Sequence, residues 1–177
     1  MSRRISGLKV IFQRAKFETR LKIANSLYIS RLFYLIQLWG GTSDKMIKAL
    51  QVSQNKMARA VTRLSWFTPT RTLLKQCGWL SVRQLVVYHT ALSTHKTVRE
   101  GRPEFHFDKM CADHNYDTRN TVKFSDNFSA KSERAKSSYC YRGAILYNQL
   151  PYEIKQCQNI STFKKKLKAW VLNNIPI

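Results

Sequence analysis

A chain of 177 residues with 44% apolar and 12% aromatic side chains is long and apolar enough to close a core, which excludes a wholly disordered polymer. Its 31 Lys and Arg against 10 Asp and Glu leave a formal charge of +21, a surplus that asks for a polyanionic partner and names no reaction. Six Gly and four Pro exclude collagen-like and low-complexity classes.

In chain order, residues 1–14 are expected to form a short helix with Ile5, Leu8 and Phe12 on one side. A longer helix is predicted over 17–39, where Phe17, Leu21, Ala24, Tyr28, Leu32 and Leu35 recur every three or four residues. At 1.5 Å per residue it would run roughly 35 Å. Apolar on nearly every side near its end, it reads as the central core helix, closed by Gly40-Gly41 as a glycine cap. Ser43 is placed to cap the next helix, 44–64, with Asp44 in its first turn. The apolar stripe of that helix is Met46, Leu50, Ser53, Met57, Val61 and Leu64; the opposite stripe is Lys45, Lys48, Lys56, Arg59 and Arg63.

Residues 66–69 break the pattern. A short helix over 71–77 stops at Gly78, and Ser81 caps another that runs to about residue 99 and buries Val82, Leu85, Val86, His89 and Leu92. Residues 103–137 lack sustained periodicity and read as an irregular connection with one short strand near 122–124. Two final helices follow, 139–149 stopped by Pro151 and 162–173 capped by Ser161, the second burying Phe163, Leu167 and Trp170 or Val171. The expected fold is therefore mainly α: a basic bundle of four to five helices over 1–100, an irregular connection over 101–137, and a helical extension over 138–177. Charge follows the same division, since residues 1–99 hold 18 Lys and Arg against Glu18 and Asp44.

The cationic stripe of the 44–64 helix carries most of the functional signal. Five like charges on one face, with no acid opposite, repel one another unless an anion lies against them. Phosphate backbones supply anions at suitable spacing, and Arg59 and Arg63, one turn apart, could straddle neighbouring phosphates. Lys45, Lys48, Lys56, Arg59 and Arg63 are the expected nucleic-acid-binding residues, giving affinity rather than sequence specificity. The Lys164-Lys165-Lys166 run with Lys168 reads as a solvated face. Trp66, Phe67 and Trp79 could stack on unpaired bases, but their positions beside helix breaks favour anchoring the turns.

The four cysteines, Cys77, Cys111, Cys140 and Cys157, form no Cys-x-x-Cys and read as reduced thiols of a reducing compartment. Cys111-x-x-His114, with Cys140 and His106 as possible partners, supplies one closely spaced ligand pair where a structural zinc site usually has two, so no metal is expected. His89, on an apolar helix face, reads as a core histidine. Two-metal polymerase or nuclease chemistry needs convergent carboxylates. Asp44, Asp108, Asp113, Asp117 and Asp126 contain no Asp-Asp pair, and nucleotide-binding or hydrolase motifs do not occur. No catalytic residue, cofactor or small-molecule substrate is expected. The basic start at Met1-Ser-Arg-Arg is followed by a stretch broken by Lys9, Gln13, Arg14 and Lys16, unlike a secretory signal. The most apolar window, 27–39, falls short of the roughly 20 residues that span a bilayer. An intracellular protein, nuclear or cytoplasmic and without a membrane partner, is expected.

Several phrases in order carry a resemblance. Tyr28-Ile-Ser-Arg-Leu-Phe-Tyr through Trp39-Gly40, Gln54-Asn-Lys-Met-Ala-Arg59, Cys77-Gly-Trp-Leu-Ser-Val82, Asn115-Tyr-Asp-Thr-Arg119, Leu146-Tyr-Asn-Gln-Leu-Pro151 and Thr162-Phe-Lys-Lys-Lys-Leu167 together resemble the region after the polymerase palm in non-LTR retrotransposon reverse transcriptases of the Jockey/CR1-like kind. The resemblance implies a helical thumb and C-terminal extension that grip template and primer RNA or DNA, with the catalytic aspartates in a palm absent from this chain. It leaves three classes in play: a non-catalytic nucleic-acid-binding module, a truncated retroelement fragment missing its palm, and a basic protein-interaction module.

Overall fold

A computed structural model describes residues 7–8, 10–101 and 132–176. The segments expected to hold the 122–124 strand, the Cys111–His114 pair, His106 and Asp108 to Asp126 lie outside the described residues. Those that are described are mainly helical: α1 (Phe17–Ala24), a π-helical turn (Asn25–Ile29), α2 (Ser30–Phe33), α3 (Ile36–Trp39), α4 (Asp44–Thr62), α5 (Thr70–Cys77), α6 (Val82–Glu100), α7 (Glu133–Lys136), α8 (Tyr139–Gln149), α9 (Tyr152–Lys155) and α10 (Ile160–Asn174). No strand occurs among them. By their contacts they form two units, Met1–Leu35 with Thr42–Leu85 and Ile175–Ile177, and Ile36–Gly41 with Val86–Asn174. The division runs through the first turn of α6, whereas charge and periodicity change near residue 100.

The core of the first unit joins Phe12, Ala24, Tyr28, Ile29 and Leu32 to Met57, Ala58, Val61, Leu73 and Cys77. α4 is its axis, packed against both α1 and α5. The single helix expected over 17–39 runs on through a π-helical turn at 25–29 and is broken once, at 34–35. At 25–29 the amide of Ser30 reaches back five residues to Asn25, and the widened turn points the consecutive Tyr28 and Ile29 inward. At Tyr34 the backbone turns extended and Leu35 is left-handed, φ 49°, so the helix stops. Apolar residues beyond the break are not a central core: Tyr34, Leu35 and Leu38 are exposed, and Ile36 is buried.

Local signals explain most of the other boundaries. α5 ends at Gly78, φ 68°, with the Trp79 amide donating to the Leu74 carbonyl at 2.9 Å, a left-handed cap. Ser81 opens α6 through a reciprocal box, its Oγ accepting from the Gln84 amide at 3.2 Å while Gln84 Oε1 accepts from the Ser81 amide at 3.0 Å. Ser43 holds the N-cap position of α4, but its carbonyl, not its hydroxyl, accepts from Met46 and Ile47. The cap of α10 is Asn159 rather than Ser161: Asn159 Oδ1 accepts from the Ser161 amide at 2.8 Å. Gly40 and Gly41 are not left-handed caps. A Cβ at Gly40 would sit 2.5 Å from the Ile36 carbonyl oxygen and 2.7 Å from Val86 Cγ1, so close packing requires the glycine.

In the second unit Ala91 and His95 of α6 are buried together with Tyr139, Ala144 and Tyr147 of α8, Ile154 of α9, and Phe163, Leu167 and Val171 of α10. The His95 ring stacks on Phe163 with centroids 3.8 Å apart, and its Nδ1 lies 3.1 Å from the Tyr147 hydroxyl. Burial first, and the Arg99 charge second, lower the His95 pKa to about 4; burial raises the Tyr147 hydroxyl to about 12. His89, expected in the core, is only half-buried and meets Tyr88 edge-on.

Candidate nucleic-acid interface

At 100° per residue, Lys45, Lys48, Lys56 and Arg59 fall within an arc of about 80° on α4. The buried positions Ile47, Gln54, Met57, Ala58 and Val61 occupy the opposite side. That buried side is rotated by about 60° from the stripe read in the sequence. Met46 and Leu64 are exposed, while Gln54 is fully buried and donates to the Leu80 carbonyl at 2.9 Å. The rotation follows from α4 serving two neighbours at once, which draws Gln54 and Ala58 inward and leaves Met46 outside.

The electrostatics of this face depend on one acid. Asp44, in the first turn of α4, is paired with Arg83 at 2.5 Å, both side chains well exposed. Lys45, Lys48 and Lys56 are exposed and meet no acid among the described residues. Three ammonium groups are thus presented to solvent without an ion pair to any carboxylate among the described residues, the neighbouring Asp44 being engaged by Arg83.

Arg59 and Arg63 are held differently. Arg59 folds over the turn after α4, one Nη donating to the carbonyls of Trp66 at 3.3 Å and Thr68 at 3.5 Å, with its guanidinium carbon 4.6 Å from the centre of the Trp66 ring. Arg63 is the left-handed C-cap of α4, φ 60°, and one Nη donates to the carbonyls of Phe12 at 2.7 Å and Gln13 at 2.6 Å. They do not form the matched outward pair that their one-turn spacing suggested. Helix α4 has ended before Arg63, and both guanidiniums satisfy backbone carbonyls, although neither charge is neutralised by an acid among the described residues.

Arg20 went unread in the sequence. It is buried, with Nε donating to the Val61 carbonyl at 2.7 Å and an Nη to the Ala15 carbonyl at 2.8 Å. Burial first, then the neighbouring Arg63 charge, lower its pKa from the usual arginine value. The Arg20 side chain, through the Val61 carbonyl, and the Arg63 amide, which donates to the Arg59 carbonyl at 2.8 Å, satisfy the carbonyl end of α4, where the helix dipole favours cations.

The three aromatics near the breaks divide. Trp79 is a turn anchor: half-buried, packed on the first core, its indole N–H donates to Asn25 Oδ1 at 2.8 Å. Trp66 is 67% and Phe67 92% exposed, so neither anchors its turn by burial. Lys164, Lys165, Lys166 and Lys168 are exposed on α10, opposite buried Phe163, Leu167 and Val171. Among the described residues no three His, Cys, Asp or Glu side chains converge as metal ligands, and no helix is long and apolar enough to cross a membrane.

Comparison with known proteins adds one sequence relationship. The chain is similar to a probable RNA-directed DNA polymerase from transposon X-element of Drosophila melanogaster, 30% identical over 89 residues. The match covers 44% of this chain and 10% of that protein, so the chain spans about a tenth of the relative's length. No family model matches, and neither does any solved structure.

Proposed function

We propose that the chain is a sequence-tolerant nucleic-acid-binding module, equivalent to the thumb and C-terminal part of a Jockey/CR1-like retrotransposon reverse transcriptase, and that it has no polymerase chemistry of its own. The observation carrying this reading is the row Lys45, Lys48 and Lys56, without an ion pair among the described residues, along the solvent face of a 19-residue helix whose first-turn acid is already taken by Arg83. Phosphates neutralise such a row and release counterions in doing so, which yields affinity without base reading. In this reading Lys45, Lys48 and Lys56 contact template or primer backbone directly. Arg59 and Arg63 add charge while their guanidiniums hold the turn after α4 and the Phe12 and Gln13 carbonyls. The similarity to a transposon polymerase supports RNA or DNA as the polyanion, with the palm of such a polymerase as the missing neighbour.

The test is binding of an RNA–DNA hybrid and a DNA duplex by the purified chain across a salt series. The reading expects log K to fall linearly with log salt, and similar affinity for unrelated sequences of one length. Salt-independent binding, or no binding, would overturn it. Primer extension by the same protein with a divalent metal would overturn its non-catalytic half.

A further inference from the structure

The turn between α4 and α5 displays aromatic surface that its own stability does not require. Its backbone is held by polar contacts: the Thr68 amide donates to the Ser65 carbonyl at 3.1 Å, Arg59 donates to the carbonyls of residues 66 and 68, and Asn55 Nδ2 on α4 donates to Thr70 Oγ1 at 3.1 Å. Phe67 is 92% exposed and Trp66 67%, so both side chains remain in water at a cost that burial would have removed. One face of Trp66 lies against the Arg59 guanidinium, which restrains the ring at the end of the cationic face.

Resting on the nucleic-acid-binding reading above, the geometry points to Trp66 and Phe67 as a stacking platform for unpaired bases of a single strand whose phosphates lie along Lys56 and Arg59. Every base has a π face, so such a platform binds without reading sequence, and it selects single strand over duplex because paired bases are already stacked. Charge complementarity favours this occupant. Arg59 lies against Trp66, Lys56 precedes Arg59 by about a turn on the same face of α4, and Arg71 lies in the first turn of α5, with no acid from residue 45 to residue 99. A bilayer fits less well, since the exposed positions of α5 next to the turn are Arg71, Thr72, Lys75 and Gln76, which offer no apolar face to insert.

The experiment uses the full chain and four probes: a 12-nucleotide oligothymidylate, the same sugar–phosphate chain without bases, a DNA duplex of equal length, and phosphatidylserine vesicles. Phe67→Ala should leave the thermal midpoint unchanged, because the ring touches little. It should weaken oligothymidylate binding about 5- to 150-fold, the size of one lost base–aromatic stack, while the abasic and duplex affinities move less than twofold. Phe67→Trp should restore oligothymidylate binding. Equal binding of oligothymidylate by the wild type and Phe67→Ala, with salt-dependent duplex binding intact, overturns the platform and leaves the backbone-binding reading standing. Failure of the wild type to bind the abasic chain and the duplex removes both. Loss of phosphatidylserine-vesicle binding in Phe67→Ala, with oligonucleotide binding unmoved, overturns the platform in favour of a membrane role.

Discussion

Arg20 Nε donates to the Val61 carbonyl at 2.7 Å, joining α1 to the last turn of α4 across 41 residues of sequence. A buried guanidinium bound only to backbone carbonyls fixes the end of α4, and with it the direction of the cationic face. Arg20→Met should destabilise the first unit by about 2 kcal/mol, because the Val61 carbonyl loses its charged donor. Arg20→Lys should recover only part, since one ammonium cannot reproduce two N–H directions. Chemical denaturation of the two variants checks this; equal stability of Arg20→Met and wild type would refute it.

Arg63 combines a strained backbone with a useful side chain. Its left-handed φ of 60° disfavours any residue with a Cβ, while its Nη bonds to the carbonyls of Phe12 and Gln13 offset that cost. Arg63→Ala loses the bonds and keeps the strain; Arg63→Gly loses the bonds and relieves it. Arg63→Gly should therefore be more stable than Arg63→Ala by about 1 kcal/mol in denaturant unfolding.

His95 makes the second unit acid-sensitive. Its folded pKa of about 4 lies below the ordinary value of 6.5, so between these values the unfolded chain binds the extra proton. Stability from this residue is intact above about pH 6.5 and is lost as pH falls toward 4, on the order of 3 kcal/mol in total. Half-buried His89, shifted the same way by burial and by Lys164, adds to the effect. Thermal unfolding at pH 7 and pH 5 should show a drop in the wild type that His95→Gln reduces; an identical drop in both would refute the assignment.

Cys77 lies in the first core, where burial pushes its thiol up to about 11. It is therefore almost wholly protonated at neutral pH and shielded from reagents. Of Cys77, Cys140 and Cys157, only the partly exposed Cys157 should alkylate rapidly in the native protein, with Cys77 and Cys140 reacting on unfolding. Peptide mapping after a timed label reads the order directly.

What the sequence disclosed depended on whether a residue's role was local. Gly78, Ser81 and Pro151 act within a few residues of themselves, and the α5 end, the α6 start and the α8 end fall where they indicate. The mainly helical class followed from the same periodicities. Long-range roles were hidden. Nothing near Arg20 marks it as a buried donor to residue 61, and Gln54 looks like a surface residue until Leu80 supplies its partner. The apolar run over 27–39 concealed its break at 34–35 because it contains no proline and its glycines come later, at 40 and 41. On the cationic face, the positions of Lys45, Lys48 and Lys56 were legible. The inward duties of Arg59 and Arg63 were not, since charge patterning counts a guanidinium without saying which carbonyls hold it.

The measurement that bears most directly on the central claim is the salt dependence of duplex binding by Lys45→Gln/Lys48→Gln/Lys56→Gln beside the wild type. The three lysines are exposed and make no ion pair among the described residues, so the fold should survive their loss. If they lie along phosphates, the slope of log K against log salt becomes shallower by about 2.7, at roughly 0.9 for each contact removed. An unchanged slope in a folded triple variant would contradict the assignment of this face to nucleic acid.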